Sequence, residues 1–234
     1  MRTRHLLPAL LTTGLLLSCC SGSSDDDKGD GADTTELADR LAAAKTTIDE
    51  AETVSIKLAT KRLPDGITGL LSAEGKGNHS PAFTGTVTVV TGGASVGADV
   101  IAVNGQVYAK TGFLPGFTSI DPAQLKAPDP ASLLSTDAGI TQILVKTDDL
   151  AEGKQSRDGK DVLTTITGTL PGGVVRTIIP SANASAMFTV TYRLDEDDEL
   201  RDTTLTGQFY PGGDKVSYTV TLATSDTPVT IEAP

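Results

Sequence analysis

Residues 83–110 read FTGTVTVVTGGASVGADVIAVNGQVYAK, and their pattern decides the fold. Phe83, Gly85, Val87 and Val89 alternate with Thr84, Thr86 and Thr88, so each set takes one face of a strand. Gly92-Gly93 turns the chain, and Val96, Ala98, Val100 and Ala102 repeat the alternation. Asn104-Gly105 is the strongest short hairpin signal in the sequence, because a two-residue turn needs positive φ at both positions. Val107 and Ala109 continue on the partner strand. The result is an antiparallel meander with one apolar face.

The meander extends towards the N-terminus. Val54, Ile56 and Leu58 alternate with Ser55, Lys57 and Ala59, Pro64-Asp65-Gly66 marks a turn, and Leu71, Ala73 and Gly75 carry the next strand up to His79. Before it, Asp33 or Thr34 caps a predicted helix running to about Ala51, with Leu37, Leu41, Ala44 and Ile48 on one stripe. Glu36, Asp39 and Lys45 sit along it as the helix dipole prefers.

Beyond Thr111 the alternation stops. Pro115, Pro122, Pro128 and Pro130 punctuate a loop, which is either a binding element or a crossover. Short helical pieces then carry Ala131 to Leu134, Ile140, Ile143 and Leu144. The second half is β again. Glu152–Arg157 and Val162–Leu170 flank an Asp158-Gly159 turn, and Val174–Ile179 is a short helix. Strands follow at Phe188–Leu194, Leu205–Phe209 and Val216–Leu222, with Val229 and Ile231 expected at the edge.

The inward parity of these strands mixes Val and Leu with Gly75, Gly85, Ala98, Ala102, Ala109 and Gly207. Two arrangements satisfy that mixture: a dry cavity between sheet and helices, or close packing with no void. In the first, the wall is formed by Val54, Ile56, Leu58 and Leu71 on the first two strands, then Phe83, Val87 and Val89 on the third. The fourth and fifth strands add Val96, Ala98, Val100, Ala102, Val107 and Ala109, and the helical segment adds Leu134, Ile140, Ile143 and Leu144. Such a wall suits acyl chains.

The N-terminus sets the compartment. Arg2 and Arg4 precede an apolar run from Leu6 to Leu17, the layout of a secretory signal peptide over residues 1–18. Leu16-Leu17-Ser18-Cys19 has the spacing of a bacterial lipobox, which makes Cys19 the expected site of diacylglycerol attachment and of an anchor to the outer face of the cell membrane. Residues 19–33 are small and acidic (SGSSDDDKGDGAD over 21–33), and are expected to form a flexible tether for a domain over 34–234. Cys19 and Cys20 are the only cysteines, so the body has no disulfide. The net charge of −11 argues against nucleic-acid binding.

Catalytic motifs are sparse. His79, beside Asn78 and Ser80, reads as a solvated turn residue, and Asp148-Asp149 and Asp197-Asp198 as solvated turns. No G-x-S-x-G elbow, phosphate loop, dinucleotide fingerprint or zinc ligand set occurs. No enzyme activity, metal or cofactor is expected. A hydrolase using His79 and a scaffolding lipoprotein with a filled core are the rivals to a lipid carrier.

Several stretches together resemble the LppX/LprG family of actinobacterial lipoproteins. They are the lipobox, the helix Leu37–Ile48, Phe83–Val90 with Gly92-Gly93, and Asp99–Tyr108 with its Asn104-Gly105 turn. Asp121-Pro122-Ala123-Gln124-Leu125, Asp137-Ala138-Gly139-Ile140 leading to Ile143-Leu144, Glu152-Gly153-Lys154 and Ile166-Thr167-Gly168 also match. In the family's pattern Asp-Pro-Ala-Gln often runs almost directly into Asp-Thr-Gly-Leu; here Lys126–Thr136 lengthens that connection. The resemblance implies an α+β fold: a strongly curved antiparallel half-barrel with helices on its concave face and an apolar cavity between, similar to the LolA/LolB carriers. It also implies a non-catalytic carrier of acylated lipids or glycolipids, expected as a monomer, with a major-facilitator efflux transporter as a possible partner. Val87 and Val89 are then the first candidates for lipid contact, because their strand matches best.

Overall fold

The computed structural model describes residues 33–113, 115–125 and 127–234. The expected signal peptide, the expected lipidation site at Cys19 and the expected tether up to residue 32 lie outside the described residues. The described residues belong to one compact unit, Gly31–Pro234, with its own hydrophobic core, which is what an independently folding domain requires.

Helix α1 (Thr34–Glu50) begins where the sequence predicts. Asp33 is extended and its carboxylate accepts the Thr35 N–H at 3.2 Å. Leu37, Leu41, Ala44 and Ile48 are all buried, and each of the larger three contributes about 1.5–3 kcal/mol by burial. The helix ends as Ala51 turns extended and donates back to the Ile48 carbonyl.

The meander follows as β1 (Thr53–Thr60), β2 (Gly69–Asn78), β3 (Ala82–Thr91), β4 (Ala94–Val103), β5 (Gln106–Thr111) and a short β6 (Thr118–Ile120). Asn104 and Gly105 have φ of 54° and 70°, the two positive values a tight hairpin turn requires. The proline-rich connection is more ordered than its sequence suggests. It holds β6, 3-10 turns at Pro122–Leu125 and Ser132–Leu134, and the one-turn helix α2 (Gln142–Val145).

The second half supplies β7 (Asp148–Glu152), β8 (Ser156–Asp158), β9 (Asp161–Pro171), helix α3 (Gly172–Ile178), β10 (Met187–Leu194), β11 (Leu200–Gly207) and β12 (Val216–Ser225). All strands pair antiparallel in one open, curved sheet ordered β6-β5-β4-β3-β2-β1-β12-β11-β10-β9-β7, with β8 against β9. The two meanders meet at one seam, where β1 pairs β12 from Thr53↔Ser225 to Thr60↔Tyr218.

Three expectations change. Val229 and Ile231 form no strand; the tail instead crosses the sheet end, accepting hydrogen bonds from Asn78 at the Val229 carbonyl and from Thr53 at the Thr227 carbonyl. Asp148-Asp149 opens β7, with Asp149 at positive φ in a bulge and its carboxylate taking the Thr169 hydroxyl at 2.8 Å. Asp198, in the turn after β10, forms an ion pair with Arg40 of α1 that locks helix to hairpin.

The inward glycines are covered by side chains. A Cβ on Gly75 would lie 2.4 Å from the Phe83 ring, and one on Gly207 would lie 2.1 Å from the Phe188 ring. Phe188 in turn meets Phe209 edge-on with centroids 5.0 Å apart, and Phe209 meets Tyr218 likewise. At these positions the small residues make room for aromatic rings, and the packing is close.

Candidate functional site

The enclosed space lies elsewhere, on the seam side of the sheet. Its volume is about 100 Å³. The sheet wall is built from Leu58 of β1, Leu70 of β2, Leu200, Thr203 and Leu205 of β11, and Val220 and Leu222 of β12, with Phe209, Tyr210 and Tyr218 beside them. The opposite wall comes from Ile48 of α1, from Val175, Ile178 and Ile179 at α3, and from Leu133, Ile140, Ile143 and Leu144 around α2. Leu125, Ala127 and Pro128 complete it. Leu125 is also exposed to solvent, which places it at the rim. Ala127, Pro128 and Leu133 belong to the proline-rich connection after β5, so that connection forms part of the wall.

Of the residues proposed from parity, Leu58, Ile140, Ile143 and Leu144 stand on this wall. Val54, Phe83, Val100, Ala102, Val107, Ala109 and Leu134 are buried core residues away from it. Val87, Val89, Val96 and Ala98 are half-buried and do not reach it. Ile56 packs against the core and borders a separate open hollow of about 630 Å³. That hollow is larger, but Lys57, Glu74, Lys76 and Asp99 line it, and the Lys57–Glu74 pair is two-thirds exposed. Charges that stay hydrated make it a poor acyl site.

Leu71 is displaced by one position. The β2–β3 register slips between Leu70 and Ser72, so Leu71 is the extra residue of a bulge and Leu70 takes the wall. Single-strand parity cannot reveal a bulge. Among the C-terminal contributors, Leu205, Val220 and Leu222 share the inward parity of their strands, while Leu200 joins them across a second bulge, where the β10–β11 register slips between Arg193 and Leu194. What the sequence does not carry is the β1–β12 seam that brings them opposite Leu58.

Two tyrosines shape the bulge. Pairing between β1 and β2 ends at Ala59↔Ser72, while β2 continues to Gly69 against β3. Beyond that end, the Leu70 N–H donates to the Tyr210 hydroxyl at 3.2 Å, Tyr210 donates to Tyr218 at 2.6 Å, and Tyr218 donates to the Leu70 carbonyl. This closed ring replaces the missing ladder bonds. Gly69 is obligatory beneath it, because a Cβ there would meet the Tyr210 ring at 2.5 Å. Burial, reinforced by the Tyr210 neighbour, pushes the Tyr218 hydroxyl well above the usual tyrosine range. Burial does the same to Tyr192, opposed by the Thr147 hydroxyl 2.7 Å away; both groups sit over the Ile143 carbonyl and tie α2 to the sheet.

His79 is half-buried, and the solvated reading is corrected. Its Nδ1 lies 2.6 Å from the Leu134 carbonyl and its Nε2 3.0 Å from the Ile48 carbonyl, so the ring bridges the end of α1 to the 3-10 turn. Both nitrogens face backbone oxygens, which leaves neither to activate a serine. Lys45 reinforces the same junction through Asp49 and the Thr136 carbonyl, and Asp49 accepts the Thr141 hydroxyl at 2.9 Å. Among the described residues no group of three potential metal ligands occurs, and no helix is long and apolar enough to cross a membrane.

One hydroxyl on the wall is unsatisfied. Thr203 is 3% exposed and its Oγ1 meets no hydrogen-bond partner. Such a group costs about 1–3 kcal/mol.

A curved antiparallel sheet that shares an enclosed apolar space with short helices, with no assembled catalytic group among the described residues, defines a cavity-bearing sheet protein. The chain belongs to the LppX_LprAFG lipoprotein family, whose model matches residues 34–231. It is 25% identical over 234 residues to the lipoarabinomannan carrier protein LprG of Mycobacterium leprae, covering 98% of this chain and 94% of that one. The protein of the same name from Mycobacterium tuberculosis is 26% identical over 192 residues, 82% of this chain and 79% of its own. In fold it is similar to LprF of Mycobacterium bovis, with a TM-score of 0.68 at 17% identity over 87% of this chain and 99% of that one. LppX of Mycobacterium tuberculosis gives 0.59 at 18% identity, over 86% and 100%.

Proposed function

We propose that this protein is a non-catalytic carrier of acylated lipids or glycolipids in the cell envelope. The observation that carries the reading is the wall just described, built almost wholly of Leu, Ile, Val and aromatic carbon, in a chain whose family includes proteins named as lipoarabinomannan carriers. Acyl chains bind such a wall by burying apolar surface, at about 25 cal/mol per Å². Cys19 is the lipid-bearing residue that holds the protein on the outer face of the membrane, residues 19–33 are its tether, and 34–234 are the lipid-binding domain. It acts as a monomer, and an efflux transporter of the major-facilitator class is its proposed envelope partner.

The volume adds a condition. A cavity of about 100 Å³ is below the roughly 150 Å³ that accepts one benzene and the roughly 300–1,000 Å³ typical of ligand pockets. Cargo uptake therefore requires one wall to withdraw. The sheet wall is tied by ladders on both sides, so the wall that moves is the segment over residues 127–144 with α3. Register also provides a path outwards. Leu70, Val89 and Val96 align across β2, β3 and β4, and Ala73, Val87 and Ala98 align in the next row. These residues form a half-buried apolar track leading from the cavity, along which a longer chain extends.

The test is native mass spectrometry of residues 31–234 purified from a lipid-rich host, with organic extraction of the same sample. A stoichiometric added mass matching di- or triacylated lipid is expected, and Val220→Trp, which fills the cavity, is expected to lose it while staying folded. A clean apo mass that persists after incubation with lipid vesicles would overturn the carrier reading and favour a scaffolding lipoprotein.

A further inference from the structure

The wall is not uniformly apolar, and its hydroxyls differ in one respect. Thr141 gives its proton to Asp49, and Tyr210 and Tyr218 are closed in their ring with Leu70. Ser181 adds a hydroxyl from the turn after α3. Among the described residues of this wall, Thr203 alone carries a deeply buried hydroxyl that meets no hydrogen-bond partner. It stands between Tyr192 on β10 and Val220 on β12, facing the same side as both. Valine has the same shape and would fill this strand position with no polar group to satisfy.

We propose that Thr203 is the polar anchor of the cavity, donating its hydroxyl to the carbonyl oxygen of an acyl group, so that the site prefers acyl-bearing ligands over alkyl chains lacking a carbonyl. This inference rests on the carrier reading and deepens it. With the carbonyl held at Thr203, the hydrocarbon runs along Leu205, Phe209 and Val220, which line the same space. No protein group competes for the hydroxyl there. One neutral hydrogen bond in a dry site corresponds to a preference of roughly three- to tenfold. Two sources share this chemistry: the ester of a glycerolipid and the protonated carboxyl of a free fatty acid.

The experiment compares residues 31–234 with T203V and T203S, binding dipalmitoylglycerol, its dialkyl ether analogue without carbonyls, and palmitic acid. Wild type and T203S are expected to bind the ester several-fold tighter than the ether. T203V is expected to bind both at the ether's level, while its unliganded form melts at a higher temperature than wild type. A Thr203-dependent preference seen with palmitic acid alone assigns the site to free fatty acids. T203V weakening ester and ether equally, or changing neither, overturns the anchor while leaving the carrier reading intact. Wild type binding none of the three overturns both.

Discussion

The Tyr210–Tyr218–Leu70 ring yields a quantitative prediction. Tyr218→Phe breaks two of its three hydrogen bonds and leaves the Leu70 carbonyl and the Tyr210 proton without partners. Tyr210→Phe also breaks two, and leaves the Leu70 N–H unpaired. At about 1 kcal/mol per neutral bond, plus part of the roughly 1–3 kcal/mol for a stranded buried group, each single change should cost about 2–4 kcal/mol. The double variant loses three bonds, whereas the two singles together count four, because the Tyr–Tyr bond is counted twice. The double variant should therefore cost about 1–2 kcal/mol less than the sum. Urea unfolding of residues 31–234, followed by far-UV circular dichroism because the chain has no tryptophan, measures all four corners of the cycle. Costs that add within about 0.5 kcal/mol would show that the hydroxyls act independently, and the ring would not be the unit that closes the bulge.

Three further outcomes follow from the packing. Tyr192 and Tyr218 are held above the ordinary tyrosine value by burial, so the unfolded chain releases their protons first as pH rises. Stability should be unaffected by them below about pH 10 and fall above it; thermal melts from pH 7 to 11 should show that fall, and Tyr192→Phe should flatten it. Gly207→Ala places a methyl 2.1 Å from the Phe188 ring and should cost about 1–3 kcal/mol in denaturant unfolding, with Phe188→Leu recovering part of the loss. His79→Phe removes the bridge between the Ile48 and Leu134 carbonyls; it should destabilise by about 1–3 kcal/mol and speed amide exchange in residues 131–145 more than in β10.

The long strands of the first meander were legible because they obey local rules, whereas β6 and β7, in stretches read as loop and turn, were not. Alternation at Phe83–Val89, positive φ at Asn104-Gly105 and the Asp33 cap all depend on neighbours in sequence. The location of the enclosed space was not legible. Parity identified inward small residues, but whether a ring fills the room beside Gly75 or Gly207 depends on Phe83 and Phe188 rotamers set by packing. The seam between β1 and β12 joins residues from opposite ends of the domain, so no local signal announces that Leu58 faces the same space as Val220. His79 was misread for a related reason. Its polar neighbours describe the chain around it, whereas its environment is set by two carbonyls from α1 and the 3-10 turn.

The seam also governs the order of assembly. Hairpins such as β3–β4 and β4–β5 close loops of two residues, whereas β1 finds its partner only after β12 has been made. Until then β1 and β11 are open edges, able to recruit a foreign strand. The walls of the enclosed space come from both sides of that join. For a chain emerging N-terminus first, each meander can form as a local unit, but the cavity comes into being only when the last strand docks.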